Sequence, residues 1–213
     1  MANNGASSSE ASLTLGLLKA VASDKYLTQR SAASELGVAL GLVNNYLKRC
    51  VKKGFVKVRQ APANRYAYYL TPKGMREKGR LTSEFLTQSL SLFRQAQQDY
   101  SQIFKLCEKN GWRRIVFHGH SDLTAVAILI ARNYELELCG IVDATNGGNT
   151  ANDLPIIVSE EQISGVDAHV ITDLQNPQPV YDRLIKNIQA ERVLTPRLLD
   201  LARPKIKRGA KKR

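Results

Sequence analysis

The chain has 213 residues, a hydrophobic fraction of 43% and a net charge of +12, which is enough for two modest domains with a core each. No apolar run approaches the roughly 18 residues needed to span a bilayer, and the polar first residues lack the apolar stretch of a signal peptide. We therefore expect a soluble, cytoplasmic protein and no membrane partner.

The charge is divided along the chain. Residues 1–80 hold 14 Lys/Arg against 4 Asp/Glu, residues 81–202 hold 10 against 15, and residues 203–213 hold 7 against none. A basic head, an acidic body and a basic tail indicate that only the head and the tail face a polyanion. The tail is of low complexity and is expected to be disordered.

Residues 10–74 follow the pattern of a winged helix-turn-helix, whereas residues 1–9 are expected to be disordered. Thr28 is a suitable N-cap for the second helix, and Gly37 and Gly54 mark the ends of the second and third helices. The expected elements are three helices over 10–22, 28–37 and 39–53, followed by two strands over 55–60 and 66–70 around the wing tip 61–65. Such an element reads duplex DNA through the major groove.

The third helix carries a polar, basic outward face. On a period of about 3.6 residues, the side chains that point inward are Val43, Tyr46, Leu47 and Cys50. The candidate DNA contacts of this helix are Gly41, Asn44, Asn45, Lys48, Arg49 and Lys52. The candidates elsewhere are Gln29, Arg30 and Ser31 at the start of the second helix, and Lys57, Arg59, Asn64 and Arg65 in or beside the wing. The amides suit adenine and the cations suit guanine or phosphate, while a glycine lets the helix approach the base edges. No cofactor is required for this binding.

The segments LTQRSAASELGVALGLVNNYLK, KKGFVKVR and YAYYLTPKGMREKGRLTSEFL resemble the MarR-type winged helices of regulators associated with bacterial exopolysaccharide loci. The resemblance covers residues 11–85 and implies a bacterial, DNA-binding transcriptional regulator. Ala39 departs from the pattern, because such helices often begin with a serine cap. A weaker cap costs roughly 1 kcal/mol without changing the implied function.

Residues 75–110 are predicted to form a long linker helix. An approximate a/d seam is formed by Leu86, Phe93, Ala96, Tyr100, Ile103 and Cys107, and it is weakened by Ser89 and Gln97. We expect this helix to join two copies in a homodimer, because two reading helices are needed for a palindromic site. The alternative is a helix that packs on its own second domain.

Residues 111–202 alternate between strands and helices. We expect strands over 114–118, 136–142, 168–172 and 192–194, with helices over 123–132 and 180–188. This alternation predicts a small parallel α/β sheet of the Rossmann type. The fold class is therefore α/β overall, with an N-terminal winged helix-turn-helix, a long linker helix and a C-terminal Rossmann-like sheet.

The sequence WRRIVFHGHSDLTAVAILIARNYELELCGIVDA resembles the first βαβ unit of small nucleotide-binding domains that precede sugar acetyltransferases, and more loosely CoA-binding domains. The resemblance implies a nucleotide-type ligand. A dinucleotide loop needs several glycines, whereas this loop has Gly119 followed by Ser121 and Thr124, which makes a nicotinamide a poor candidate. The candidate ligand contacts are Gly119, His120, Ser121 and Asp143. The alternative is a domain that binds nothing and holds a dimer together.

Residue types with catalytic chemistry do not form a recognisable site. His118, His120 and Asp122 have the HxHxD spacing of a metal site, but Leu123 replaces the next histidine, so a two-metal centre is excluded. We expect no metal, and a mononuclear site is the alternative. No G-x-S-x-G elbow presents a serine nucleophile, so we expect no catalytic residues and no enzyme activity. The cysteines Cys50, Cys107 and Cys139 form no CxxC pair and are expected to be buried structural thiols.

These observations favour a sequence-specific, dimeric transcriptional regulator located at the nucleoid. In this hypothesis, a ligand near Gly119, Ser121 and Asp143 alters the spacing of the two reading helices. Two other classes stay open. One is a nucleotide-sugar or cofactor-dependent enzyme with an accessory winged helix, and the other is a DNA-architectural protein that binds all sequences alike.

Overall fold

The structure, a computed structural model, describes residues 4–24, 27–61, 65–144 and 150–202. It divides into two compact units, Met1–Leu90 and Ser91–Arg213. The expected tail and the wing-tip residues 62–64 lie outside the described residues. Among the described helices, none is both long and apolar enough to cross a membrane.

The first unit is a winged helix-turn-helix. Its elements are α1 (Asn4–Ser23), α2 (Gln29–Leu36), α3 (Leu40–Lys52), β1 (Val56–Ala61), β2 (Arg65–Leu70) and the first part of α4 (Pro72–Lys109). β1 and β2 pair antiparallel, with Val56 opposite Leu70. α1 begins at Asn4, whereas the sequence predicts that the first helix begins at residue 10; residues 1–3 lie outside the described part.

Local signals fix the ends of α2 but not the start of α3. The Thr28 hydroxyl accepts a hydrogen bond from the Ser31 amide, and the Ser31 hydroxyl accepts one from the Thr28 amide. Gly37 ends the helix with φ of 64°, the left-handed region that glycine tolerates best. Ala39 precedes α3 without a side-chain cap, as the sequence predicts.

The start of α4 is bound to the turn between α3 and β1. The Thr71 amide donates to the Phe55 carbonyl at 3.0 Å, the Thr71 hydroxyl donates to the Gly54 carbonyl at 2.6 Å, and the same hydroxyl accepts from the Gly74 amide. A Cβ at position 74 would lie 2.0 Å from the Phe55 carbonyl oxygen, so only glycine fits there. These contacts give the LTPKG segment a packing role.

One apolar core holds the three helices and the wing together. The buried side chains include Leu17 and Leu18 of α1, Val43 and Leu47 of α3, and Val56 of β1. Because these side chains recur at helical spacing, their burial follows from the amphipathic pattern of each helix. The packing leaves the opposite face of α3 exposed.

The second unit is built on a six-stranded sheet in the order β5-β6-β4-β3-β7-β8. Its strands are β3 (Arg114–His118), β4 (Glu137–Val142), β5 (Thr150–Ala151), β6 (Leu154–Ile157), β7 (Ala168–Ile171) and β8 (Val193–Leu194). All pairings are parallel except β5 with β6. The sequence predicts four strands, so β5 and β6 are additions, and the prediction of a parallel, Rossmann-like sheet is confirmed.

Helices cover both faces of the sheet. Val170 packs in a cluster with the last part of α4 and with α5 (Asp122–Ala131), whereas the neighbouring Ile171 packs with Tyr181 of α6 (Pro177–Asn187). Successive side chains of a strand point to opposite faces, so β7 is buried on both sides. Such two-sided burial is typical of parallel sheets.

Most side chains of the expected a/d seam of α4 are buried in the core of the second unit itself. Ala96, Tyr100, Ile103 and Cys107 are buried against α5 and the sheet, so the alternative interpretation is correct for this half of the helix. Leu86 and Phe93 are exposed. A seam running through all six positions is therefore wrong.

Candidate functional site

The outward face of α3 is a continuous polar surface. Val43, Leu47 and Cys50 are buried and Tyr46 is half-buried, as predicted. The opposite face presents Gly41, Asn45, Lys48 and Lys52, which are exposed, and Asn44, which is half-buried. The face thus offers amide and ammonium groups within one helical stripe, the side-chain chemistry that reads base edges.

Arg49 is directed toward α1. Its guanidinium lies 3.0 Å from the Glu10 carboxylate and 5.4 Å from the centre of the Tyr46 ring. Both members of the ion pair are exposed to solvent, so the pair contributes little to stability. Only Nη1 of Arg49 is engaged in this pair, so the remaining N–H groups of its guanidinium stay open to a phosphate.

One of the polar side chains at the start of α2 is engaged in the N-terminal cap of the helix. Arg30 is exposed and Gln29 is half-buried, but the Ser31 hydroxyl is bound to Thr28. Ser31 is therefore a capping residue, and the side chain best placed to meet a phosphate here is that of Arg30.

The wing adds cations beside the reading helix. Lys57 and Arg59 are exposed on β1 and alternate with the buried Val56 and the half-buried Val58. Arg65 opens β2, and Asn64 lies outside the described residues. The alternation follows from the period of two along a strand, and it turns the basic side chains away from the core.

A cavity of about 310 Å³ lies in the second unit, at the carboxyl ends of its parallel strands. Ligands of open α/β sheets bind at this edge. The polar lining side chains are His118, Asp143, Ser159, Glu160, Asp173 and Arg183. Of the expected contacts, Gly119 and Asp143 line the cavity, whereas His120 and Ser121 are not among its lining residues.

His118 is the most buried polar residue of this lining, with 1% of its surface exposed. Its Nε2 lies 3.0 Å from Nδ1 of His169, and its Nδ1 has no hydrogen-bond partner among the described residues. Burial, with His169 and Arg183 nearby, lowers the pKa of His118 to about 3, and burial and Arg192 lower the pKa of His169 to about 4. Both rings are neutral at physiological pH.

Glu160 lies between the buried imidazole and a cation. Its Oε1 lies 3.7 Å from Nδ1 of His118 and 3.2 Å from the Arg183 guanidinium. Because His118 is uncharged, the longer contact is not an ion pair, and it is too long for a hydrogen bond. The gap leaves the imidazole nitrogen without a direct partner among the described residues.

The loop after β3 is held by hydrogen bonds within itself and to the residue that follows β7. The Ser121 hydroxyl donates to the Thr172 carbonyl and accepts from the Leu123 amide, while the Thr124 hydroxyl accepts from the Ser121 amide. Gly119 has φ of 97°, and a Cβ there would lie 2.5 Å from Asp173. This glycine therefore lets two loops approach each other.

The described residues contain no group of three or more His, Cys, Asp or Glu side chains arranged to hold a metal ion. Cys50 and Cys107 are buried as predicted, whereas Cys139 is partly exposed. Sequence reasoning missed Glu160, His169, Asp173 and Arg183. Asp173 had a signal, because it follows closely on the end of β7, where parallel sheets place functional groups.

Comparison with known proteins identifies the first unit. Residues 12–57 match a family model described as winged helix-turn-helix DNA-binding. No curated protein sequence matches the chain. The family match over residues 12–57 shows that the chain contains an N-terminal winged helix-turn-helix DNA-binding domain.

Several solved structures are similar over larger parts of the chain. A MepR–DNA complex from S. aureus has 24% identity, covers 47% of this chain and 76% of that chain, and has a TM-score of 0.35. Human N-acetylserotonin methyltransferase in complex with SAM has 12% identity, covers 91% and 76%, and also has a TM-score of 0.35. The O-methyltransferase NcsB1 from neocarzinostatin biosynthesis has 13% identity, covers 88% and 62%, and has a TM-score of 0.27.

Proposed function

We propose that the chain is a sequence-specific transcriptional regulator that binds double-stranded DNA as a homodimer. The observation that carries the proposal is the exposed face of α3, where Asn45, Lys48 and Lys52 lie beside the open Gly41 within a DNA-binding domain. A buried apolar face fixes this helix on the domain, so its polar face is presented rigidly.

In this proposal α3 enters the major groove. Asn45 pairs with adenine and Lys48 with guanine, which gives base preference. Lys57 and Arg59 of the wing, with Arg30 at the start of α2, bind phosphates and set the register. The winged helix is proposed to be of the MarR type, with LTPKG binding α4 to the turn between α3 and β1.

The dimer is proposed to form through the middle of α4. Phe85, Leu86, Leu90, Leu92 and Phe93 are exposed there, with Leu90 and Leu92 each 55% accessible. Leu86, Leu90 and Phe93 follow each other at spacings of four and three residues, which places them on one helical stripe. Pairing of two such stripes buries apolar surface and holds two reading helices for a palindromic site.

The α/β unit is proposed to sense a small metabolite or to support the dimer, without catalysis. Of the polar groups that a serine nucleophile would need, the Ser121 hydroxyl is bound to the Thr172 carbonyl and the His118 ring is bound to His169. These bonds direct the two side chains to different partners. As a regulator that binds chromosomal DNA, the protein is proposed to be located at the nucleoid, in the bacterial cytoplasm.

Selection of bound fragments from a random duplex library at physiological salt tests the function. We expect an enriched motif with two-fold symmetry. Tight binding without enrichment would support the architectural protein instead, and absence of binding would remove the proposal.

Charge-matched variants show whether α3 carries the binding. Lys48→Gln/Lys52→Gln removes two exposed cations from the reading face, whereas Lys105→Gln/Lys109→Gln removes two exposed cations from α4. We expect the first variant to lose the selected motif and the second to keep it. Equal losses would mean that only the net charge matters.

A further inference from the structure

A second cavity, of about 650 Å³, lies at the edge of the sheet beside β8, and we call it the edge cavity. Its lining comes from the last part of α4, the turn that leads to β3, α6 and the segment 190–197 around β8, all within the second unit. The volume lies within the range of small-molecule sites, about 300–1,000 Å³. It is about twice the 310 Å³ of the cavity at the carboxyl ends of the strands.

The wall of the edge cavity is mostly apolar and aromatic. Ile103 of α4, Tyr181 of α6 and Val193 of β8 are buried side chains that line it. Leu106 is 41% exposed and Trp112 is half-buried, so both leave apolar surface uncovered beside the cavity. A ligand that covers this surface is stabilised, because apolar area is removed from water.

A buried carboxylate lies in this apolar lining. Asp99 lines the edge cavity and has 7% of its surface exposed. Its Oδ2 accepts a hydrogen bond from the Leu198 amide at 2.8 Å, which holds the carboxylate in place. None of the ion pairs among the described residues includes Asp99. Because burial of a charge is costly unless it is paired, a cation that enters the cavity finds an unpaired partner here.

The other charges near the edge cavity do not favour an anion. Of the other described lining residues, only Glu191 and Arg197 carry charge; both are exposed and they are opposite in sign. The Arg192 guanidinium lies 5.9 Å from the centre of the Trp112 ring, but Arg192 is not a lining residue. Exposed charges are screened by water and salt, whereas the buried carboxylate of Asp99 acts in a medium of lower dielectric constant. The cavity therefore favours a positive group at Asp99.

We propose that the edge cavity binds an organic amine with an apolar body, whose ammonium group pairs with Asp99 while the body packs against Leu106 and Trp112. An aliphatic amine has a pKa of about 10, so it is a cation at physiological pH. A water molecule can hydrate the carboxylate, but it supplies neither the charge nor the apolar cover. The amine is then the metabolite that the α/β unit senses, so this inference deepens the proposed function and rests on it.

The position of Asp99 connects such a ligand to the proposed dimer. Asp99, Ile103 and Leu106 all belong to α4, the helix that also carries the exposed stripe from Leu86 to Phe93. A ligand at Asp99 therefore contacts the helix through which two copies are proposed to pair. We expect saturation with the amine to change the affinity of the full chain for its selected duplex.

Calorimetric titration of the full chain without DNA tests the binding. The amine probes are 2-phenylethylamine, tryptamine and 3-methylbutylamine. The matched compounds are 2-phenylethanol and 3-phenylpropionate, which carry a neutral and an anionic group on the same ring, and 1,4-diaminobutane, which lacks an apolar side group. We expect at least one amine probe to bind tenfold or more tightly than all matched compounds. No binding of any amine probe at millimolar concentration, or equal binding of 2-phenylethanol and 2-phenylethylamine, would overturn the inference.

Fluorescence locates the bound probe independently of affinity. Trp112 is the only tryptophan of the chain and it lines the edge cavity. When only the indole is excited, its emission should change as 2-phenylethylamine binds and should saturate together with the calorimetric signal. An unchanged emission at saturation would place the probe elsewhere and overturn the assignment.

Two variants identify the group that recognises the amine. Asp99→Asn removes the charge but keeps the shape of the side chain and an oxygen for the Leu198 amide. We expect it to weaken binding of the amine about tenfold or more, since a hydrogen bond to a charged group is lost, and to leave binding of 2-phenylethanol unchanged. Asp182→Asn, exposed on α6 and outside the cavity lining, is the matched control and should bind the amine normally.

Leu106→Lys keeps the test decisive if Asp99→Asn does not fold. Leu106 is 41% exposed, so the fold tolerates a lysine there, and the added ammonium group repels the amine from the cavity. Leu129→Lys, at an exposed leucine of α5 outside the lining, is its control. Binding as tight as that of the wild type in Leu106→Lys, or in a folded Asp99→Asn, would refute the site.

DNA binding is measured on the same samples, so that the two proposals can fail separately. Absence of amine binding with intact DNA binding overturns this inference alone. Absence of DNA binding with intact amine binding overturns the proposed function and leaves the site. A duplex affinity that is the same with and without saturating amine would refute the sensing role of the ligand.

Discussion

Replacing Gly41 by alanine separates the stability of the winged helix from its proposed contact with DNA. Gly41 is the second residue of α3, and a Cβ there would meet no heavy atom within 4 Å. Alanine is preferred to glycine in an exposed helix, so we expect the free energy of unfolding to rise by about 0.5–1 kcal/mol. That gain corresponds to about 1–4 °C in Tm for a chain of this size.

The same methyl group should weaken the complex. If α3 lies in the major groove with its first turn against the base edges, the added carbon occupies space that the duplex needs. We expect about a tenfold loss of affinity, on the order of 1.4 kcal/mol. Fluorescence anisotropy with the selected duplex measures the affinity, and thermal unfolding measures the stability.

Gly79→Ala is the matched control for this prediction. Gly79 lies within α4, and a Cβ at this position would likewise meet no heavy atom within 4 Å. The control should raise stability to a similar extent and leave DNA affinity unchanged. If Gly41→Ala binds the duplex as tightly as Gly79→Ala, the close approach of α3 is refuted, even if binding itself is confirmed.

Three further changes have separate outcomes. Asn45→Ala should relax base preference at one position by about 1–3 kcal/mol, and competition with single-base variants of the site measures this; an equal loss for all sequences would make Asn45 a phosphate contact. Deletion of residues 203–213, which carry seven cations, should weaken binding to all duplexes alike and flatten the salt dependence; loss of one operator only would contradict this. Because the pKa of His118 and of His169 is lowered from 6.5 to about 3 and about 4, the unfolded chain binds more protons below pH 6.5 and stability should fall as the pH decreases toward 4. Thermal unfolding across this range should show a weaker dependence in His169→Gln than in the wild type, and identical profiles would refute the reasoning.

The helices of the first unit could be predicted because their signals are local. Thr28 and Gly37 lie at the two ends of α2, and the apolar period of α3 separates its buried and exposed faces. The pairing of Arg49 with Glu10 could not be predicted in this way. It depends on how α1 packs against α3, and no local pattern encodes that packing.

The sheet could be predicted in type but not in full. The hairpin β5-β6 has strands of only two and four residues, which are too short for periodicity to detect. Its turn residues Asn152 and Asp153 both have positive φ, a conformation that these residue types tolerate in tight hairpins. The Asn152–Asp153 dipeptide was therefore a signal from which β5 and β6 could have been predicted.

The cavity shows that a glycine in a sequence motif does not by itself locate a ligand contact. The sequence pattern predicts that Gly119 approaches a ligand, yet its missing side chain admits Asp173. Glu160 and Arg183 come from separate segments of the chain and meet only because the sheet brings its carboxyl ends together. A sequence gives the residue types at strand ends, but distances such as that between His118 and Glu160 need the folded chain.

The long helix α4 allows the proposed dimer to be tested separately from folding. Its start is bound by Thr71 to the turn between α3 and β1, and its last part is buried through Tyr100 and Cys107 in the core of the second unit. The exposed apolar side chains lie between these two anchored parts, so a change there removes no buried contact of either core. Leu86→Glu/Leu90→Glu should therefore yield a folded monomer by analytical ultracentrifugation. Leu129→Glu, at an equally exposed leucine of α5, should leave the dimer intact, and a dimer that survives the double change would exclude this stripe as the interface.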